Sequence, residues 1–296
     1  MVIADRERTN GLLALVAVQL CFGLFPPFAK WAFEGDAFSP ASVAAYRIVA
    51  GIVVLGSFAV LMYGRRALPR GADVLRLFLC AMFGVVVNQG LFLEGVSRTT
   101  AINTGLIICL IPVFTYVMAI LAGQERLKAK RCLGIGVALL ATTMLFLERG
   151  DGQVGGHLLG NLLLLLNVAS YSLYLVISKP LTTRYPPLVI IAWVYAFSAL
   201  SLPYFVWGER LVPALAGAER AWWSLGFILL FPTVLGYLLN IFALARVPAS
   251  TTALFTYLQP VMTGAAGIVL LSESLTAGAV IAAAGLFLGL WLARTA

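Results

Sequence analysis

Ten stretches of this 296-residue chain are apolar over lengths that match a lipid bilayer: 11–33, 40–62, 73–96, 100–122, 131–148, 157–179, 188–207, 222–245, 249–271 and 276–293. A hydrocarbon core of about 30 Å takes roughly 20 apolar residues in a helix. The stretches are continuous rather than alternating in polarity, so they read as helices and not as barrel strands. Water is excluded as the solvent, because hydrophobic residues make up 61% of the chain and charged residues 11%, against roughly 25% charge in a soluble domain. That much apolar surface leaves too little polar surface to cover a soluble core. The expected fold class is an all-α polytopic membrane protein of ten transmembrane helices with short connections.

The net charge of +8 comes from basic residues scattered between apolar runs, which argues for membrane topology rather than nucleic-acid binding. With the N-terminus inside, 14 Lys and Arg fall on the cytoplasmic side and five (Lys30, Arg98, Arg149, Arg210, Arg220) outside. This places both termini in the cytoplasm of a cell inner (plasma) membrane protein. The first run is too long for a signal-peptide core and is expected to remain as the first helix. Cys21, Cys80, Cys109 and Cys132 sit in apolar runs with no Cys/His grouping. They read as small buried residues rather than metal ligands.

One passage is written twice. "RTTAINTGLIICLIPVFTYVMAILAGQERL" from Arg98 and "RVPASTTALFTYLQPVMTGAAGIVLLSESL" from Arg246 share Arg, Pro (Pro112, Pro260), Glu (Glu125, Glu273) and Leu (Leu127, Leu275) at a spacing of 148 residues, half the chain. Ala101 with Ala249 and Thr104 with Thr252 keep that spacing. Five helices per half is odd, so the second half, 149–296, enters the membrane from the face opposite to the first, 1–148. Inverted halves of similar structure can exchange an outward-open for an inward-open cavity, the logic of alternating access.

The first helices of the halves also agree: "CFGLFPPFAK" and "SYSLYLVISK" set an aromatic-small pair (Phe22-Gly23, Tyr171-Ser172) ahead of Lys30 or Lys179. With the "SPASVAAYR" entry to the second helix, ending in Arg47, and the Pro…Glu-x-Leu endings, the whole chain resembles the drug/metabolite transporter superfamily. Within it the chain is most similar to EamA-type ten-helix exporters of the YddG-type amino-acid group. The helix-9 ending departs slightly, since Glu273 lacks the basic cluster that follows Glu125. The resemblance implies a central cavity surrounded by helices 1, 3, 4, 6, 8 and 9, with helix 2 outside it.

Enzymatic and pump chemistries lack their residues: there is no GxxxxGK phosphate loop, and the single His157 excludes HExxH zinc chemistry. Gly150-Asp151 lies in a loop without a second buried Asp. No cofactor is expected. All twelve acidic residues lie in termini, loops or helix ends, Glu94 being the deepest. Proton- or sodium-coupled carriers commonly keep a carboxylate near midplane, so facilitated transport is favoured. Arg47 is the deepest cation; carbonyls or Glu94 are its expected partners ahead of a contact to substrate, because the resemblance implies that helix 2 lies outside the cavity.

Neutral polar residues form stripes at helical spacing. They are Gln19, Gly23, Pro26 and Lys30 in helix 1; Asn167, Tyr171, Tyr174 and Ser178 in helix 6; Thr233, Gly236, Tyr237 and Asn240 in helix 8; and Thr252, Thr256, Gln259 and Thr263 in helix 9. Helices 3 and 4 add Asn88, Gln89 and Asn103. Such residues either join helices or line a pocket. The candidate substrate contacts are Gln19, Asn88, Gln89, Asn103, Asn167, Tyr171, Tyr174, Tyr237, Asn240, Thr256 and Gln259. Pro26, Pro112 and Pro260 are candidate hinges, because each removes a backbone donor. Gly134 and Gly136, with the Gly285…Gly289 pair, allow close helix packing, and the latter is a candidate dimer face. Amides, hydroxyls and aromatic rings suit a zwitterionic or amphipathic solute, amino acids included; lipophilic cations are the rival substrates. The expected partners are a small-molecule substrate and the bilayer, with the chain a monomer or weak dimer.

Overall fold

The computed structural model describes residues 2–124, 129–146, 149–150, 153–154, 157–213, 218–244, 246, 255 and 258–294. Its helices, in chain order, are α1 (Thr9–Asp36), α2 (Pro40–Ala67), α3 (Gly71–Ser97), α4 (Ala101–Leu121), α5 (Ala129–Phe146), α6 (Leu158–Leu181), α7 (Pro187–Val206), α8 (Glu219–Asn240), α9 (Leu258–Leu271) and α10 (Ala277–Arg294). Helix is the form a lipid-dissolved chain requires, because lipid offers its amides no partner and each segment must bond its own. Seven of these helices, all but α5, α9 and α10, are long and apolar enough to cross a membrane. A two-residue antiparallel pairing, Arg149–Gly150 with Gln153–Val154, precedes α6.

Helix ends are set by local chemistry. Ser39 caps α2 by accepting from the Ser42 amide at 3.0 Å, with Pro40 supplying the first helical position. Thr100 caps α4 in the same way through Asn103 N. The helices are also broken internally. α1 is interrupted at Leu24, two residues before Pro26, and α4 at Cys109 and Leu110, just before Pro112. Residues 256 and 257, which precede Pro260 in the sequence, lie outside the described residues. Single π-helical stretches interrupt α2 (Gly51–Gly56), α3 (Met82–Val86) and α8 (Leu229–Leu235); such wide turns often mark functional sites.

The packing runs between distant parts of the chain. α1 packs on α8 and α9, α6 on α3 and α4, α2 on α7, α4 on α9, and α5 on α10. The last pairing gives the glycine row of α10 an occupant within the chain. A Cβ at Gly289 would meet Ala138 and the Gly134 carbonyl of α5, and one at Gly285 would collide with Ala141. The row is therefore filled from inside rather than offered as a dimer face. Outward positions stay apolar, as Leu61, Leu121 and Val269 show. Exposed Tyr204, Trp207 and Trp223 gather where α7 ends and α8 begins, the amphipathic ring type that sits at a membrane border.

Candidate substrate site

The centre of the bundle is organised by a backbone defect in α8. Pro232 has no N–H for the Ile228 carbonyl. The Thr233 hydroxyl donates to that carbonyl instead, at 2.8 Å, and its oxygen accepts from Arg47 Nε at 2.9 Å. Arg47 is buried at 4% exposure, and its guanidinium carbon lies 4.3 Å from the centre of the Phe25 ring. Glu94, the carboxylate expected beside it, pairs instead with Arg98 on the next turn of its own helix. The helix-2 cation therefore reaches the middle of the bundle, although its helix was expected to stand outside the cavity.

Aromatic rings surround it. Tyr195 of α7 is fully buried, and its ring lies where a Cβ on Gly51 would be, one turn after Arg47. Gln89 Nε2 donates to the Tyr195 hydroxyl at 3.4 Å. The Tyr237 ring meets those of Tyr195 and Phe22 edge-on, with centroids 6.2 and 6.0 Å apart. The Tyr171 and Tyr174 rings lie with their centroids 5.5 Å apart. Tyr174 occupies the space beside Gly84 that a Cβ would take. Phe25 also stacks on Phe92 at 4.8 Å. Each glycine admits a ring from the opposite half of the chain, so the cluster is assembled only when the halves pack.

The expected contacts divide. Gln89, Tyr171, Tyr174 and Tyr237 belong to this cluster. Asn88 and Asn167 are spent on each other: Asn167 Nδ2 donates to the Asn88 carbonyl at 2.7 Å, and Asn88 Nδ2 to the Asn167 carbonyl at 3.4 Å. This pair of bonds between α3 and α6 fixes those helices. Asn103 is buried at the start of α4, 3.5 Å from Thr99 Oγ1. Gln19 is buried with its Oε1 unpartnered. Gln259 is half-buried, its carbonyl beside Gly23, and Asn240 is half-buried in α8. Thr252 and Thr256 lie outside the described residues. Arg47, Tyr195 and Thr233 were missing from the expected contacts. The available signal was burial: a Tyr in mid-membrane must find a partner for its hydroxyl, and α7 carries no polar stripe to draw attention to Tyr195.

A vestibule opens at each end of the bundle. One, of about 480 Å³, lies where α1 and α9 end and α8 begins, with Lys30, Glu34, Arg220 and Ser272 on its wall. The other, of about 510 Å³, lies where α6 and α4 end and α3 begins, with Asp73, Gln124 and Arg184 on its wall. Along α3 the order is Asp73 in one vestibule, Gln89 in the cluster and Ser97 in the other vestibule. Each rim carries an ion pair between chain halves: Arg220 to Glu34 at 3.4 Å and Arg184 to Asp73 at 2.6 Å. Beside the first vestibule, Glu273 at the end of α9 accepts from the amides of Ala101 (2.7 Å) and Ile102 (3.0 Å) at the start of α4. Its counterpart Glu125 lies outside the described residues.

The EamA-like transporter family model matches residues 9–147 and again residues 158–295. The chain belongs to the EamA-like transporter family. Its members are membrane transporters, not enzymes. An uncharacterized transporter of Archaeoglobus fulgidus is 23% identical over 86% of this chain and 88% of its own. The uncharacterized transporter YyaM of Bacillus subtilis is 25% identical over 76% of this chain and 75% of its own. A WAT1-related protein of Arabidopsis thaliana is 22% identical over 97% of this chain and 82% of its own. A solved crystal structure at 18% identity superimposes with a TM-score of 0.64 over 97% of this EamA-like transporter and 96% of that chain, a likeness of fold.

Proposed function

We propose that this EamA-like chain is an inner-membrane secondary transporter, with ten spans in two inverted units, 1–148 and 149–296, and both termini cytoplasmic. It exports small amphipathic metabolites, amino acids with aromatic side chains among them, by alternating access. The observation that carries the reading is the pair of vestibules. Apart from Ser97 of α3, which also reaches the first vestibule, a shift of five helices turns the walls of one (α1, α8, α9) into those of the other (α6, α3, α4). The packing obeys the same shift: α1 on α8 and α9 corresponds to α6 on α3 and α4. The double match of one family model agrees with a duplicated unit. A solute held at the aromatic cluster would be reached from either end in turn, and rocking of one unit on the other exposes each end. Tyr171, Tyr174, Tyr195 and Tyr237 offer rings and hydroxyls for a solute with an apolar body and a polar head.

Flux of radiolabelled phenylalanine into proteoliposomes, compared with a lipophilic aromatic cation, tests the substrate. Saturable uptake of the amino acid is the expected result. Uptake confined to the cation would replace this reading with that of a multidrug exporter. Flux is expected to persist when proton and sodium gradients are collapsed, and strict dependence on either gradient would reveal a coupling group elsewhere.

A further inference from the structure

Among the described residues, Arg47 makes one hydrogen bond, from Nε to the neutral Thr233 hydroxyl. No carboxylate among them pairs with it, and the Tyr195 ring packs against Gly51, one turn along the same helix. A guanidinium has five N–H donors, so four have no hydrogen-bond acceptor among the described residues, in a residue that is 4% exposed. A membrane-buried cation is costly unless paired. A purely structural arginine would have its fork filled with carbonyls or a carboxylate. A second group in the same cluster is incomplete in the complementary sense. Gln89 uses its Nε2 on Tyr195 while its buried Oε1 has no partner. An open fork of donors and an open acceptor therefore both belong to the cluster around Tyr195.

We propose that Arg47 is the anchor for a carboxylate on the transported solute, which makes carboxylic acids with an apolar or aromatic body the substrate class. The proposal rests on the transporter reading above and narrows it. The carboxylate lies against the guanidinium edge in the bidentate geometry that an arginine fork matches. The Tyr195 hydroxyl is a further donor to it, and Gln89 Oε1 accepts from an ammonium where the solute carries one. The Phe25 ring, with its centre 4.3 Å from the guanidinium carbon, is an apolar neighbour that takes none of the remaining donors in a hydrogen bond. The ligand then supplies the negative charge that the protein omits, and Arg47 is buried without a partner only while the site is empty.

The test uses the full-length purified protein and four solutes that share one ring: L-phenylalanine, 3-phenylpropionate, L-phenylalaninamide and 2-phenylethylamine. Equilibrium binding and the ligand-induced rise in unfolding temperature are read for each. The two acids are expected to bind at least tenfold more tightly than the amide and the amine. Arg47→Met is expected to abolish that preference and to raise the unfolding temperature of the ligand-free protein, because an unpaired buried charge has been removed. Arg47→Lys keeps the charge without the fork and should fall between the two. Equal binding of acid and amide to the unmodified protein would overturn the proposal with no variant needed. So would an acid preference that survives Arg47→Met. Transport of the amine without binding of either acid would refute the carboxylate anchor while leaving the transporter reading intact. Failure of all four solutes, together with Arg47-dependent binding of an aliphatic acid such as glutarate, would remove the aromatic substrate and keep the anchor. Absence of any carboxylate binding overturns it.

Discussion

Removing the Glu273 carboxylate tests how the two halves are held at one end. Its two oxygens accept from two successive amides at the start of α4, at 2.7 and 3.0 Å, where a helix has unfilled donors and a positive dipole end. Hydrogen bonds to a charged group contribute about 1.5–3 kcal/mol each, and water can replace part of that at a half-buried site. A net cost of about 2 kcal/mol for Glu273→Ala follows, or roughly thirtyfold in the equilibrium between the closed and open forms of that end. The reporter is Thr263, buried where α9 meets Gly105 of α4. In Thr263→Cys protein with Cys132 replaced by Ser, maleimide labelling of the introduced thiol is expected to accelerate by about that factor when Glu273→Ala is added. Glu273→Gln, which keeps one acceptor oxygen, should give a smaller change. An unchanged labelling rate with an unchanged unfolding temperature would refute the idea that this carboxylate clamps α9 to α4.

At the opposite rim, Asp73→Ala leaves the Tyr185 hydroxyl, 2.9 Å from Asp73 Oδ2, and Arg184 without their acceptor; a loss of about 2–4 kcal/mol should appear in denaturant unfolding. Glu34→Ala at the exposed partner rim should change stability by under about 0.5 kcal/mol in the same assay. Gly51→Ala places a methyl inside the Tyr195 ring and should cost about 1–3 kcal/mol by overpacking; Tyr195→Leu in the same chain is expected to restore folded yield. Tyr171→Phe and Tyr237→Phe should leave substrate affinity nearly intact. The Ala variants should weaken it several-fold, since an aromatic contact contributes about 0.5–2 kcal/mol; unchanged affinity in both Ala variants would return these rings to a packing role.

What the sequence makes legible is whatever the solvent dictates locally. Apolar run length fixes which segments are helical, and the breaks in α1 and α4 sit beside Pro26 and Pro112 because a missing amide is a local fact. The stripes on α6 and α8 single out Tyr171, Tyr174 and Tyr237 by spacing along one helix. Contacts between halves are not encoded by spacing along one helix. Asn88 and Asn167 look like pocket residues until each is seen holding the other's backbone. Arg47 finds Thr233 only because Pro232 frees a carbonyl one turn away, and Tyr195 needs Gly51 on a different helix. The duplicated passage from Arg98 and Arg246 is visible as a repeat. The action of its Glu273, on amides 171 and 172 residues distant, requires the folded chain.

The rim ion pairs carry a rule of assembly. At both ends the acid, Glu34 or Asp73, comes from the first half of the chain and the base, Arg220 or Arg184, from the second. Two first halves brought together in the same arrangement would set acid against acid at both rims, and two second halves base against base. Separately expressed halves of this chain should therefore select each other over their own copies.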